Sequence, residues 1–86
     1  MYAKIRYWVQ QYGGGERSDQ RAVEDFMECE AQESISSLRN DLIRLAQDTP
    51  DNSALDQIVG VKRKVLYNSY QEWAKMMLLW MASYKR

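Results

Sequence analysis

An all-α fold is predicted, and three observations predict it. Apolar residues recur at three- and four-residue steps through two long stretches of the 86-residue chain. Residues 18–47 contain neither Gly nor Pro. The one proline, Pro50, sits in a turn-forming run (Asp48, Thr49, Pro50, Asp51, Asn52, Ser53) that separates the two stretches. The expected architecture is one helical domain over residues 1–86. It is a long antiparallel helical hairpin with a short N-terminal aromatic helix, dimerising into a four-helix bundle.

Residues 1–12 form the N-terminal segment. Ala3, Ile5, Tyr7 and Val9 alternate as a strand would, while Ile5, Trp8, Val9 and Tyr12 fit one face of a short helix. A lone strand has no partner elsewhere in the chain, so the helix is expected. Residues 13–17 are a connector opened by Gly13, Gly14 and Gly15, which are costly to hold in a regular element. A phosphate-binding loop is the other reading of three glycines, but no Gly-Lys-Ser/Thr follows them.

The first long helix is expected over residues 18–47, capped by Ser18 or Asp19. Its apolar positions are Val23, Phe26, Met27, Ala31, Ile35, Leu38, Leu42 and Leu45. From Ala31 onward they form a coiled-coil-like seam, and before Ala31 the stripe is less regular. Residues 48–53 are the loop. The second long helix is expected over residues 54–85, with a seam of Val59, Leu66, Tyr70, Trp73, Met77, Trp80 and Tyr84. Gly60 marks a possible kink within it. Each helix would be about 45 Å long at ~1.5 Å rise per residue. In that register Ile35 lies near Leu66 and Ala31 near Tyr70. Two helices that long leave apolar surface uncovered, which is the argument for a second copy.

The ten aromatics are polarised along the chain. Tyr2, Tyr7, Trp8 and Tyr12 precede the glycines, Tyr67, Tyr70, Trp73, Trp80 and Tyr84 lie near the C-terminus, and only Phe26 lies between. The hairpin brings both ends together, so an aromatic cluster is expected there, within one chain or at a dimer interface.

Charge is polarised too. The formal net charge is zero. Residues 1–15 carry Lys4 and Arg6 and no acid. Residues 16–60 carry four arginines against eleven acids, and residues 61–86 carry six cations against Glu72 alone. An acidic first half and a basic, aromatic second half attract each other within a chain or between copies. Two patches stand out: Glu24, Asp25, Glu28, Glu30 and Glu33, and the basic Lys62, Arg63 and Lys64. In the hairpin register the basic patch faces Ser36, Ser37, Leu38 and Arg39, so its own chain does not neutralise it.

Composition narrows the chemistry. There is no histidine, and Cys29 is the only cysteine. That removes an intrachain disulfide and a Cys/His metal site. A lone cysteine suits a reducing, cytoplasmic compartment. Cys29 is expected as a small buried hydrophobe, and its neighbours Glu28 and Glu30 disfavour a thiolate. No secretory leader is visible, and the apolar run from Met76 to Ala82 is far short of the ~20 residues needed to cross a bilayer.

The expected function is therefore non-enzymatic: a protein–protein interaction or assembly module (adaptor, inhibitor or chaperone-like) acting as a helical homodimer, with no cofactor and no metal. Tyr70, Trp73, Met76, Met77, Trp80, Tyr84 and Trp8 are the expected oligomer or partner contacts, since residues 73–81 are apolar on nearly all sides. The two charged patches would set specificity. One alternative is a small nucleic-acid-binding protein using Lys62, Arg63, Lys64, Lys75, Lys85 and Arg86, although a pI near 6.2 disfavours it. A remote alternative rests on Glu24, Asp25 and Glu28, whose spacing faintly resembles an acidic motif of all-α nucleotide pyrophosphohydrolases. That resemblance implies a divalent cation and a second acidic motif, for which Asp48 and Asp51 have a suitable spacing.

Overall fold

A computed structural model describes residues 2–47 and 52–84, whose regular structure is all helical, with no strand among the described residues. Six α-helices follow in order: α1 (Ala3–Trp8), α2 (Asp19–Cys29), α3 (Gln32–Gln47), α4 (Asn52–Ile58), α5 (Val61–Tyr67) and α6 (Tyr70–Ser83). A π-helical segment, Val9–Gly13, continues α1. The expected N-terminal helix is present. Much of the expected loop, residues 48–51, lies outside the described residues, as do Lys85 and Arg86.

The two long helices are not continuous. The first breaks at Glu30, whose backbone is extended (φ −93°, ψ 153°). No Gly or Pro causes this. In α2 the buried side chains are Ala22, Val23, Phe26 and Met27, and in α3 they are Ile35, Leu38, Leu42 and Leu45. On one straight helix these two stripes would point roughly 110° apart, at ~100° per residue. The break re-aims the second stripe into the same core. Glu30 holds the corner, because its carboxylate accepts from the Tyr12 hydroxyl (2.6 Å) and the Tyr7 hydroxyl (3.0 Å). Ala31, expected to open the seam, is exposed.

The second stretch breaks twice. Gly60, at φ +106°, stops the chain between α4 and α5, at the position the sequence marks as weak. Asn68 (φ 78°) ends α5, and Ser69 starts α6 by accepting the Glu72 amide at 3.1 Å. Ser18 caps α2 in the same way, accepting the Arg21 amide at 3.2 Å. Tyr2 makes no side-chain cap on α1, but Asp41 of α3 accepts the Lys4 backbone amide at 3.0 Å and supplies the anion there.

These breaks replace the 45 Å hairpin with a body whose longest extent is 34 Å. The expected register is lost with it. α3 packs chiefly on α6, while α2 and α5 also lie against α6 and α1 lies on α3. Leu66, expected opposite Ile35, is 73% exposed. The core runs through every helix except α5, with Trp8, Phe26, Leu38, Leu42, Tyr70, Trp73 and Met77 fully enclosed. The aromatic cluster forms within one chain. Trp8 meets Trp73 at 6.0 Å, Tyr12 meets Phe26 edge-on at 5.3 Å, and Tyr67 meets Trp80 at 6.4 Å.

Candidate functional site

α5 differs from every other helix, and the chemistry converges on it. Its sequence, Val61-Lys62-Arg63-Lys64-Val65-Leu66-Tyr67, buries no residue. Arg63 and Tyr67 are four apart, share one helical face, and point at the rest of the molecule. Both reach the same carboxylate, that of Asp19 at the start of α2. Arg63 grips it with two parallel bonds, Nε to Oδ2 at 2.9 Å and Nη2 to Oδ1 at 2.8 Å. The Tyr67 hydroxyl donates to Oδ2 at 3.2 Å, and the Trp73 indole Nε1 donates to it at 3.1 Å. The fork geometry of a guanidinium on a carboxylate explains why arginine stands here and not lysine.

The remaining donors of Arg63 are also used. Nη1 donates to the Val59 carbonyl at 3.0 Å and Nη2 to the Gly13 carbonyl at 2.7 Å. The guanidinium carbon lies 5.5 Å from the Trp8 ring centroid. The side chains of Arg63 and Asp19 are only 16% and 10% exposed. In this setting the Tyr67 hydroxyl is pushed up to about 12. Burial is the main cause, followed by the charge of Asp19 and the hydrogen bond to it; Arg63 pulls the other way. Gly13 is required by this packing. A Cβ there would sit 2.6 Å from Cζ3 of Trp8 and 3.0 Å from Nη2 of Arg63. The glycine read as part of a connector is therefore also a contact surface.

The clasp leaves the opposite face of α5 outward. Val61, Val65 and Leu66 are 52%, 75% and 73% exposed. Lys62 is exposed among them and Lys64 flanks them. An open cleft of about 400 Å³ lies on the clasp side of α5, where Asp19, Arg63, Leu66 and Tyr67 meet the Gly13–Gly15 segment and Arg17.

The other expected site residues divide sharply. Trp8, Tyr70, Trp73 and Met77 lie in the core of their own chain. Tyr70 is further tied down by donating to Asp56, and burial first, then that bond, raises its pKa. Met76, Trp80 and Tyr84 remain partly exposed. α2, α3 and α5 cover much of the apolar surface of α6, and Leu79 is left 56% exposed.

The basic patch also divides. Arg63 is neutralised within the chain, against the expectation for the whole patch. Lys62 and Lys64 have no ionic partner among the described residues. In the acidic patch, Asp25 pairs with Arg17 and Arg21, and Glu24 with Arg21. Glu30 is turned inward to Tyr7 and Tyr12, and these hydrogen bonds, that to Tyr12 first, hold its carboxyl below the usual range. Glu28 and Glu33 stay exposed with no cation on them among the described residues. Cys29 is exposed rather than buried, because the helix break at Glu30 places it on the outside of a corner. The pyrophosphohydrolase resemblance needs its acids side by side, and no group of three or more Asp, Glu, Cys or His among the described residues is placed to hold a metal ion. Its second motif, Asp48 and Asp51, lies outside the described residues. Among the described residues no helix is long and apolar enough to cross a membrane.

Asp19 is the centre of the clasp and is not among the site residues that the sequence singles out. It was visible only as a candidate helix cap, and nothing in the local pattern linked it to Arg63, 44 positions away. No family model matches the chain, and no curated protein and no solved structure is significantly similar to it.

Proposed function

We propose that the chain is a self-associating protein–protein interaction module of a reducing cytoplasm, and that α5 is its docking helix. It carries no catalytic role in this reading. One observation carries the proposal: α5 buries nothing, yet it is clasped at one face and presents Val61, Val65 and Leu66 at the other. A helix normally turns its apolar side inward, so an outward apolar face on a fixed helix is a surface suited to a partner. Small domains commonly gain stability by pairing in this way. The docking residues are therefore Val61, Lys62, Val65 and Leu66 of α5, with Met76, Trp80 and Tyr84 as the partly exposed residues of α6, while Trp8, Tyr70, Trp73 and Met77 hold the fold.

Light scattering coupled to size-exclusion chromatography tests this, with absorbance followed at 260 and 280 nm. The wild type is expected as a dimer at micromolar concentration, and Leu66→Glu as a folded monomer with an unchanged helical spectrum. A wild type that stays monomeric throughout would sink the reading. A 260 nm excess lost at high salt would replace it with nucleic-acid binding through Lys62 and Lys64.

A further inference from the structure

We infer that α5 of one copy docks on the acidic corner between α2 and α3 of a second copy, an inference that rests on the self-association proposed above. The corner spans Glu28 to Glu33. Glu28, Cys29, Ala31 and Glu33 are all exposed, and no cation among the described residues pairs with Glu28 or Glu33. The corner is stiff, because Glu30 at its apex is held by Tyr7 and Tyr12.

The two surfaces match in charge. The α5 face offers the outward Val61, Val65 and Leu66 with Lys62 among them and Lys64 at its edge, neither lysine having an acidic partner among the described residues. The corner offers the exposed carboxylates of Glu28 and Glu33, without a cation among the described residues, around the small, exposed side chains of Cys29 and Ala31. Pairing α5 with its own copy would set Lys62 and Lys64 against like charges, which is unfavourable. A twofold dimer made of two α5-to-corner contacts avoids that, each surface of one copy meeting the other surface of its partner.

A charge-swap experiment tests the pairing. Glu28→Lys/Glu33→Lys and Lys62→Glu/Lys64→Glu are made as two double variants. Each alone places like charges across both contacts, and its dimer dissociation constant is expected to rise on the order of tenfold or more. Mixed in equal amounts, they restore opposite charges at both contacts, and a heterodimer near wild-type affinity is expected. Circular dichroism on each variant separates loss of assembly from loss of fold. A second readout uses the native thiol: in V65C, mild oxidation should link position 29 of one copy to position 65 of the other, located by peptide mass mapping.

If both double variants dimerise like the wild type, the corner is not the counter-surface. Variants that are monomeric alone and stay monomeric when mixed overturn it equally, as would exclusive 29-to-29 linkage. In those cases Leu66→Glu still reports on α5 itself: if it dissociates the wild-type dimer, the docking helix stands and only its counter-surface is wrong.

Discussion

α5 and α6 are neighbours in sequence and in space, and their compositions suggest the reverse of what they do. α6 is apolar on nearly all sides, which reads as an interface. α5 opens on three consecutive cations after Val61, which reads as a solvated face. In the structure α6 packs against α2, α3 and α5 and supplies five buried residues to the core, while Leu79 stays 56% exposed. α5 supplies none. The difference teaches that an all-round apolar helix needs only enough neighbours to become a core helix. A short basic helix can be fixed by two polar side chains while its apolar ones face outward.

The sharpest way to break the contrast is at the core end. Trp73→Ala removes a fully buried ring that packs on Trp8 and donates to Asp19. A buried Trp-to-Ala change costs about 3–5 kcal/mol. In a protein of this size that is a large part of the whole stability, so the variant is expected to be largely unfolded at 37 °C by circular dichroism. If it melts like the wild type, α6 is not the core helix described here.

The clasp comes next. Asp19→Ala strips the carboxylate from Arg63, Tyr67 and Trp73 together and leaves a mostly buried guanidinium without its counter-ion. The expected loss is about 3 kcal/mol. Denaturant unfolding measures it. Asp19→Ala/Arg63→Met should recover part of the loss, since removing both charges is less costly than orphaning one. A double variant as weak as the sum of the singles would mean the two residues act independently.

Much of this contrast was legible in the sequence, and the rest was not for identifiable reasons. Helicity and the Gly60 break follow from local pattern, and the aromatic cluster from the concentration of aromatics at the two ends of the chain, although the hairpin expected to join them is not formed. The weakened stripe before Ala31 already carried the signal of the α2–α3 break, since its phase disagrees with that of Ile35, Leu38, Leu42 and Leu45. Ser69 and Glu72 form a helix-start pair that the even spacing of Leu66, Tyr70 and Trp73 overrode. The failures are long-range. Arg63 finding Asp19, and Glu30 finding Tyr7 and Tyr12, are contacts between segments whose register depends on those very breaks. Once a continuous hairpin is assumed, every cross-chain neighbour shifts, and Lys62, Arg63 and Lys64 look uniformly free.

Acidity and alkalinity probe two polar corners separately. Glu30 has its pKa lowered by folding, so its contribution is complete above the usual value of 4.5 and is lost as pH falls through the lower folded value. Stability should therefore decline on acidification below about pH 4.5, and Glu30→Gln should flatten that limb. Tyr67 behaves oppositely. Its folded pKa lies near 12 against 10.0, so its contribution is complete below 10.0 and is lost as pH rises through 12. The difference in phenolate absorbance between the wild type and Tyr67→Phe should show Tyr67 ionising late. In Asp19→Asn the onset should move down, while burial keeps it above the ordinary value. A Tyr67 that titrates at 10.0 in the wild type would place it outside the clasp.

The smallest effect on stability is expected where the function is proposed. Leu66 is 73% exposed and Val65 is 75% exposed, so Leu66→Glu and Val65→Glu remove little buried area from the monomer. Exposed substitutions of this kind usually change stability by no more than about 0.5 kcal/mol. Measured below the dimer dissociation constant, both variants should melt with the wild type. Measured above it, the wild type should gain stability with concentration and the variants should not, because only a species that pairs is stabilised by mass action. That divergence separates a face that serves a partner from one that merely tolerates exposure. Identical concentration dependence in all three proteins would assign Val65 and Leu66 to ordinary surface, and the outward face of α5 would then have no role in assembly.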